Sequence, residues 1–227
     1  MKATYSSLVR GIKGYFTASK KKNAIIGLSG GIDSALSLKL VTDALGPKNI
    51  TALMMPERGL TKKRNVDDTV SLCKHLNVKY HLIPINPFLT PYKKLPWRQS
   101  PSAVMNTKAR VRMAILYNKA NSKDALVIGT TNKSELLLGY FTKHGDGACD
   151  IEVIARLYKT QVYELARFLK LPQTFIDKTP TAELARDQSD EAELGMTYEE
   201  IDRQLKKGRL KRKIKESEHK RKPAKII

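Results

Sequence analysis

Ala24-Ile25-Ile26-Gly27-Leu28-Ser29-Gly30-Gly31-Ile32-Asp33-Ser34 runs from an apolar stretch into a hydroxyl, two glycines, an acid and a second hydroxyl. The apolar part reads as a buried strand, and Ala35 to Leu45 carries Leu36, Leu40, Val41 and Leu45 at helical spacing. The polar cluster is therefore predicted at a strand-to-helix turn. At such a turn the first helical N–H groups lack internal partners and carry the positive end of the dipole, which attracts phosphate oxygens. Gly30 and Gly31 remove the Cβ atoms that would hold those oxygens away. Ser29 and Ser34 add hydroxyl donors, and Asp33 can hold a magnesium ion against the same phosphates. Taken alone, a Ser-Gly-Gly turn can equally be no more than the start of a helix. There is no Gly-Lys-Ser/Thr ending and no G-x-G-x-x-G, which excludes a Walker-type loop and the dinucleotide fingerprint.

Outward from this turn the chain alternates. An amphipathic helix over 2–20 carries Tyr5, Leu8, Val9, Ile12 and Phe16 on one stripe. Strands are predicted at 24–28, 50–55, 80–85 and 125–128, with helices at 35–45, 61–76 and 103–120. Pro87, Pro91, Pro96 and Pro101 mark 86–102 as a loop, and Trp97 within it is a packing anchor or a lid residue. The order predicts an α/β fold, a doubly wound parallel sheet with helices on both faces and ligands at the carboxyl ends of the strands. Gly129-Thr130-Thr131-Asn132-Lys133-Ser134-Glu135 follows the fourth strand on the edge from which Ser29–Ser34 emerges. Glu135 there either adds a carboxylate to the magnesium site or complements the dipole of the helix it opens.

Composition sets outer limits. The 227 residues are predicted to form one domain, 1–227, with a basic C-terminal segment from about 206. Cys73 and Cys149 form no C-x-x-C, and the N-terminus has no apolar leader, so a reducing cytoplasmic setting is expected rather than secretion. No apolar run reaches membrane-spanning length. The net charge is +20, but residues 206–225 hold eleven Lys or Arg against two Glu, so nearly half the excess is local. Such a run reads as a solvated face, with RNA binding as its alternative; the remaining charge suits phosphorylated small molecules, and nucleic acid is not the expected partner. His75 and His81 read as structural or exposed.

SGGIDS after a strand resembles the PP-loop of the ATP pyrophosphatases, whose fold is adenine nucleotide alpha hydrolase-like and which split ATP into AMP and pyrophosphate. From Asn106 onward the chain is similar to the NAD synthetases. The match runs through Lys108–Met113, Ile128–Glu135, Gly139-Tyr140-Phe141-Thr142-Lys143-His144-Gly145-Asp146-Gly147, Asp150 and Leu157-Tyr158-Lys159-Thr160. It continues in Pro180-Thr181-Ala182-Glu183-Leu184, Gln188–Glu191, Glu193-Leu194-Gly195, Tyr198, Ile201-Asp202 and His219-Lys220-Arg221. The chain departs from the family at Val153 and Arg156, at Ala185-Arg186-Asp187 and through 86–102.

The resemblance implies a ligase that amidates deamido-NAD with ammonia, at the cost of ATP and through an acyl-adenylate, using Mg2+. It implies that Gly27, Leu28, Ser29, Gly30, Gly31, Ile32, Asp33 and Ser34 wrap ATP, together with Thr130, Lys159 and Thr181. Asp33 and Glu135 become the metal ligands, and Arg110, Lys143, Asp150, His219 and Lys220 the deamido-NAD residues. Without the family pattern, Lys159 on a helix over 159–169 reads as a surface residue next to Glu164. Asp146 receives no role. The family is a homodimer with dinucleotide sites near the interface, so the N-terminal helix is a candidate partner contact. Glutamine-dependent members carry an additional amidase domain for which 227 residues leave no room, so free ammonia or a separate donor protein is expected. Two other classes share SGGIDS: an enzyme adenylating a transfer-RNA base, and an adenine-nucleotide sensor without turnover.

Overall fold

The strand predicted at 24–28 forms at Asn23–Gly27 and lies at the centre of a five-stranded parallel sheet. The protein is seen here as a computed structural model that describes residues 1–181, 184–185 and 189–226. Ala182, Glu183, Arg186, Asp187 and Gln188, all named in the sequence comparison above, lie outside the described residues. The elements in chain order are α1 (Lys2–Ala18), β1 (Asn23–Gly27), α2 (Ile32–Leu45), β2 (Ile50–Met54), α3 (Lys63–His75) and β3 (Lys79–Leu82). There follow α4 (Asn86–Leu89), α5 (Pro101–Asn121), β4 (Ala125–Gly129), α6 (Lys133–Leu138), β5 (Ile151–Glu152) and α7 (Lys159–Phe168). The C-terminal part holds α8 (Gln173–Ile176), α9 (Asp190–Leu194), α10 (Tyr198–Lys206), α11 (Lys211–Glu216) and α12 (Glu218–Arg221).

The strand order is β3-β2-β1-β4-β5. The chain moves outward through β2 and β3, then returns to the other side of β1 for β4. The crevice at that reversal, where β1 and β4 end, is where such sheets take ligands. Register supports this, since Ile26 pairs with Ile128 and both strands end one residue later. Both faces of the sheet are covered, as its near-continuous apolar strands require. Along β1, Ala24 and Ile26 join the core under α2, whereas Ile25 joins Leu53, Val127 and Val111 under α5.

Helix α2 is enclosed by the sheet, α1 and α7, which is why Leu36, Leu38, Leu40 and Val41 are all buried. It begins at Ile32, three residues earlier than predicted, so Asp33 and Ser34 belong to its first turn. Helix α1 buries Ile12 and Phe16 and donates the Tyr5 hydroxyl to Asp43 on α2 at 2.9 Å. Its apolar stripe thus packs against its own chain; burying the Phe16 ring alone is worth about 2 kcal/mol.

The predicted loop 86–102 contains α4 and a 3-10 turn at Thr90–Lys94. Pro87 and Pro91 each sit in the first turn of these short helices, where a missing N–H costs nothing. Strand β5 was not predicted: two residues carry no readable period. Val153, where the family pattern differs, is a buried core residue. No described helix is long and apolar enough to cross a membrane.

A smaller cluster ties the C-terminal helices down: Tyr198, Ile201 and Leu205 of α10 pack against Leu137, Leu138 and Ile214. The basic segment continues this clamp. Arg221 donates to the carbonyls of Leu136 at 3.0 Å and Leu137 at 2.9 Å, and Lys220 to those of Gly139 at 2.7 Å and Phe141 at 2.9 Å. Arg221 thus adds donors to the last turn of α6 and complements its negative dipole end, while Lys220 holds the Gly139–Phe141 segment that follows.

Candidate active site

Gly30 makes the turn between β1 and α2. Its φ is +87°, and a Cβ there would stand 3.0 Å from Asn65 Cβ and 3.1 Å from the Asn65 carbonyl oxygen on α3. Lys178 holds the turn from the other side, donating to the Gly30 carbonyl at 2.8 Å and to Asp68 at 3.2 Å. The helix cap is Gly31, which has no side chain to offer the first-turn amides. Those amides remain for an anion. The hydroxyls of Ser29 and Ser34 lie 3.2 Å apart beside them.

Across the crevice, α6 starts at Asn132 with a reciprocal cap: its side chain accepts the Glu135 N–H at 3.0 Å, and Glu135 Oε2 accepts the Asn132 N–H at 3.3 Å. Helix α7 starts at Lys159, whose backbone N–H is accepted by Ser134 Oγ at 3.0 Å. Ser134 in turn donates to the buried Asp202 carboxylate, which also accepts the Thr160 N–H at 2.8 Å. Asp202 therefore caps α7 from α10 and fixes the root of Lys159. Replacing Asp202 with asparagine leaves one acceptor for two donors. We expect a loss of about 2 kcal/mol, read as a lower urea midpoint, and an unchanged midpoint would contradict this.

Lys159 is the centre of the site. It is 2% exposed, and its ammonium lies 2.5 Å from Asp33 Oδ2 and 3.2 Å from Glu135 Oε1. It also stands 4.9 Å from the centroid of the Tyr198 ring. Burial alone would lower the pKa of this ammonium, but the two carboxylates outweigh it and hold the pKa above the ordinary lysine value. Glu135 is pushed up from the usual carboxylate range by burial, against the pull of Lys159 and with the help of Asp33. Asp190, accepting from the Tyr140 hydroxyl at 3.2 Å and the Tyr198 hydroxyl at 3.3 Å, is raised for the same first reason, burial.

Asp33, Glu135, Lys159, Tyr140 and Asp190 all face one cavity of about 280 Å3. Its wall includes the whole of Gly27–Ser34, Thr130, Glu135, Lys159 and Thr181, so the predicted ATP and metal residues are brought together. Met54, Met55 and Leu116 give it an apolar side. The predicted dinucleotide residues do not line it. Arg110 donates to the Lys143 carbonyl at 3.3 Å and Lys143 to the His219 carbonyl at 2.6 Å, which forms a basic rim beside the Gly139–Gly147 turn. Lys220 is engaged by the carbonyls named above. Asp150 accepts the Val127 N–H at 2.7 Å and the Tyr117 hydroxyl at 3.3 Å, where it links β4 to the segment before β5.

The donor chemistry fits magnesium. Two carboxylate oxygens, Asp33 Oδ2 and Glu135 Oε1, converge on one cation, and Mg2+ is commonly held by one or two carboxylates with substrate phosphates and water completing its shell. Among the described residues no group of three or more His, Cys, Asp or Glu is arranged for a metal. Phosphates would then be needed to complete the site.

Sequence reasoning assigned no role to Asn132, Ser134, Lys178, Asp190, Tyr198 or Asp202. Only Asn132 left a local signal, the N-x-x-E spacing of a capping box.

A family model described as NAD synthase matches residues 4–226. An NH(3)-dependent NAD(+) synthetase from Archaeoglobus fulgidus is 44% identical over 195 residues, 86% of this chain and 79% of that protein. Among solved structures, an NMN synthetase from Francisella tularensis superposes with a TM-score of 0.90 at 35% identity, covering 100% of this chain and 98% of that one. An NH3-dependent NAD synthetase from Campylobacter jejuni does so with a TM-score of 0.82, again at 35% identity and with coverage of 100% and 98%. A transfer-RNA-modifying enzyme does not account for a match of this extent. With a glycine turn and a buried lysine framed by two acids at the sheet's topological switch, and a family match over nearly its whole length, the chain belongs to the NAD synthase family.

Proposed function

We propose that this NAD synthetase uses ATP to activate the nicotinate carboxylate of deamido-NAD and ammonia to convert it to the amide. The observation that carries the reading is the Lys159 ammonium between Asp33 and Glu135, in one cavity with the open N-terminus of α2. The nicotinate carboxylate attacks the α-phosphorus of ATP, and the α–β bond breaks with its electrons leaving on pyrophosphate. Ammonia then adds to the acyl carbon, AMP departs with the C–O electron pair, and the surplus amine proton passes to solvent.

Both steps gather negative charge at phosphate, so electrostatic stabilisation is the main demand. In this reading the α2 amides with Ser29 and Ser34 hold the departing pyrophosphate, and Lys159 supplies a positive charge beside them. Lys178 keeps the turn in register through the Gly30 carbonyl. Asp33 and Glu135, whose converging oxygens here hold the Lys159 ammonium, would exchange it for Mg2+ when nucleotide binds, and the metal would supply further charge neutralisation. Arg110, Lys143 and His219 serve the dinucleotide from the rim outside the cavity, with Lys220 beside them and Asp150 at the edge of β4. That position suits a site completed by the second copy of a homodimer.

A second acceptor is supported by the TM-score of 0.90 to a structure called NMN synthetase, against 0.82 to a NAD synthetase at the same identity. By the same chemistry that acceptor is the nicotinate mononucleotide. The purified protein, given ATP, Mg2+ and ammonium, is to be compared on the two acids by kcat/KM. The dinucleotide reading expects at least a tenfold preference for deamido-NAD. A reversed preference selects the mononucleotide, and no AMP with either acid leaves a nucleotide sensor.

A further inference from the structure

Asn132 is fully buried, yet its side chain is polar and stands between the two acids. Its orientation follows from the helix it caps: the Glu135 backbone N–H needs an acceptor, so Oδ1 must face it. That leaves the amide Nδ2 to donate to Asp33 Oδ1, which it does at 2.9 Å across 99 positions of sequence. The Asn132 backbone N–H meanwhile holds Glu135 Oε2. One residue thus occupies one oxygen of each carboxylate. The other two oxygens, Asp33 Oδ2 and Glu135 Oε1, are the pair that converge on a single cation, here the Lys159 ammonium.

We propose that Asn132 is a positioning residue for the reaction: it orients Asp33 against Glu135 so that their free oxygens share one cation, and its capping of α6 is a separable second role. The proposal rests on the reading of Asp33 and Glu135 as the metal pair. A carboxylate left free to rotate must be reorganised each time a cation binds, and fixed donors avoid that cost.

The two roles separate by substitution. Asn132→Ser keeps a hydroxyl that caps α6 but is too short to reach Asp33, whereas Asn132→Ala loses both. The probe is Mn2+-dependent binding of α,β-methylene ATP, read beside thermal unfolding and steady-state kinetics. Both variants are expected to need about tenfold more Mn2+ for half-maximal binding and to lose about tenfold in kcat. Only Asn132→Ala should show a clear fall in Tm. An Asn132→Ser protein with wild-type Mn2+ dependence overturns the proposal. Asp33→Asn tells the two failures apart. If it raises the Mn2+ requirement while Asn132→Ser does not, only the positioning role fails; if neither does, the metal reading fails with it.

Discussion

Lys159→Met is expected to lower kcat by about 10³ and to destabilise the fold by about 3 kcal/mol. The stability loss follows from burial. Its ammonium is the cation between Asp33 and Glu135, and the side chains of that trio are 3%, 17% and 14% exposed. Removing one partner from a buried ion pair leaves the remaining charge desolvated and uncompensated, which costs more than the pair ever contributed. The catalytic loss has a different origin, a positive charge taken from the place where pyrophosphate would depart. Adding Glu135→Gln to Lys159→Met should restore part of the stability by removing one orphaned charge, while turnover stays low. Urea denaturation and initial rates measure the two effects separately. A Lys159→Met protein as stable as the parent, turning over within tenfold of it, would contradict this account of the site.

Gly30→Ala is expected to lower kcat/KM for ATP by about 10² with a much smaller effect on the KM for the nicotinate acceptor. At φ +87° an alanine is strained by about 1–2 kcal/mol. The added methyl also meets the Asn65 carbonyl oxygen at 3.1 Å, an obstacle of backbone rather than of a flexible side-chain end. The turn must therefore shift, and the α2 amides shift with it. Gly31 makes the control. Its φ of −87° is open to any residue, and among the described residues beyond its chain neighbours its added methyl would meet Ser29 Oγ alone within 4 Å, at 3.4 Å, so Gly31→Ala should fold with less strain. Equal stability and equal ATP kinetics in the two variants would show that the Gly30 geometry is not what the site depends on.

The sheet and the phosphate turn were legible because both are written in local pattern. An apolar run followed by Ser-Gly-Gly and apolar residues at helical spacing specifies its own neighbourhood; β1 formed within one residue of the pattern, and α2 followed it with a start three residues earlier. Lys159 was not legible from periodicity, which placed it on a helix surface. Its burial depends on Asp33 and Glu135, 126 and 24 residues away in sequence, and only the family motif pointed to it. Asn132 shows both sides of the divide. Its spacing to Glu135 is a capping signal within four residues, but its bond to Asp33 exists only once β1 and β4 lie side by side. Strand β5 was missed because two residues carry no period, and their pairing with β4 is decided by that neighbour. By composition the basic C-terminal segment reads as a charge run. In the structure Lys220 and Arg221 close the end of α6, an assignment composition alone does not make.

In the proposed reaction this cavity divides ATP between its α and β phosphates in step with amide formation. The direct measurement uses ATP labelled at the α-phosphate, incubated with Mg2+, ammonium and the nicotinate dinucleotide. All converted label is expected in AMP, one molecule for each amide formed, and none without the acid. Label recovered in ADP, or AMP released at the same rate when the acid is withheld, would contradict it.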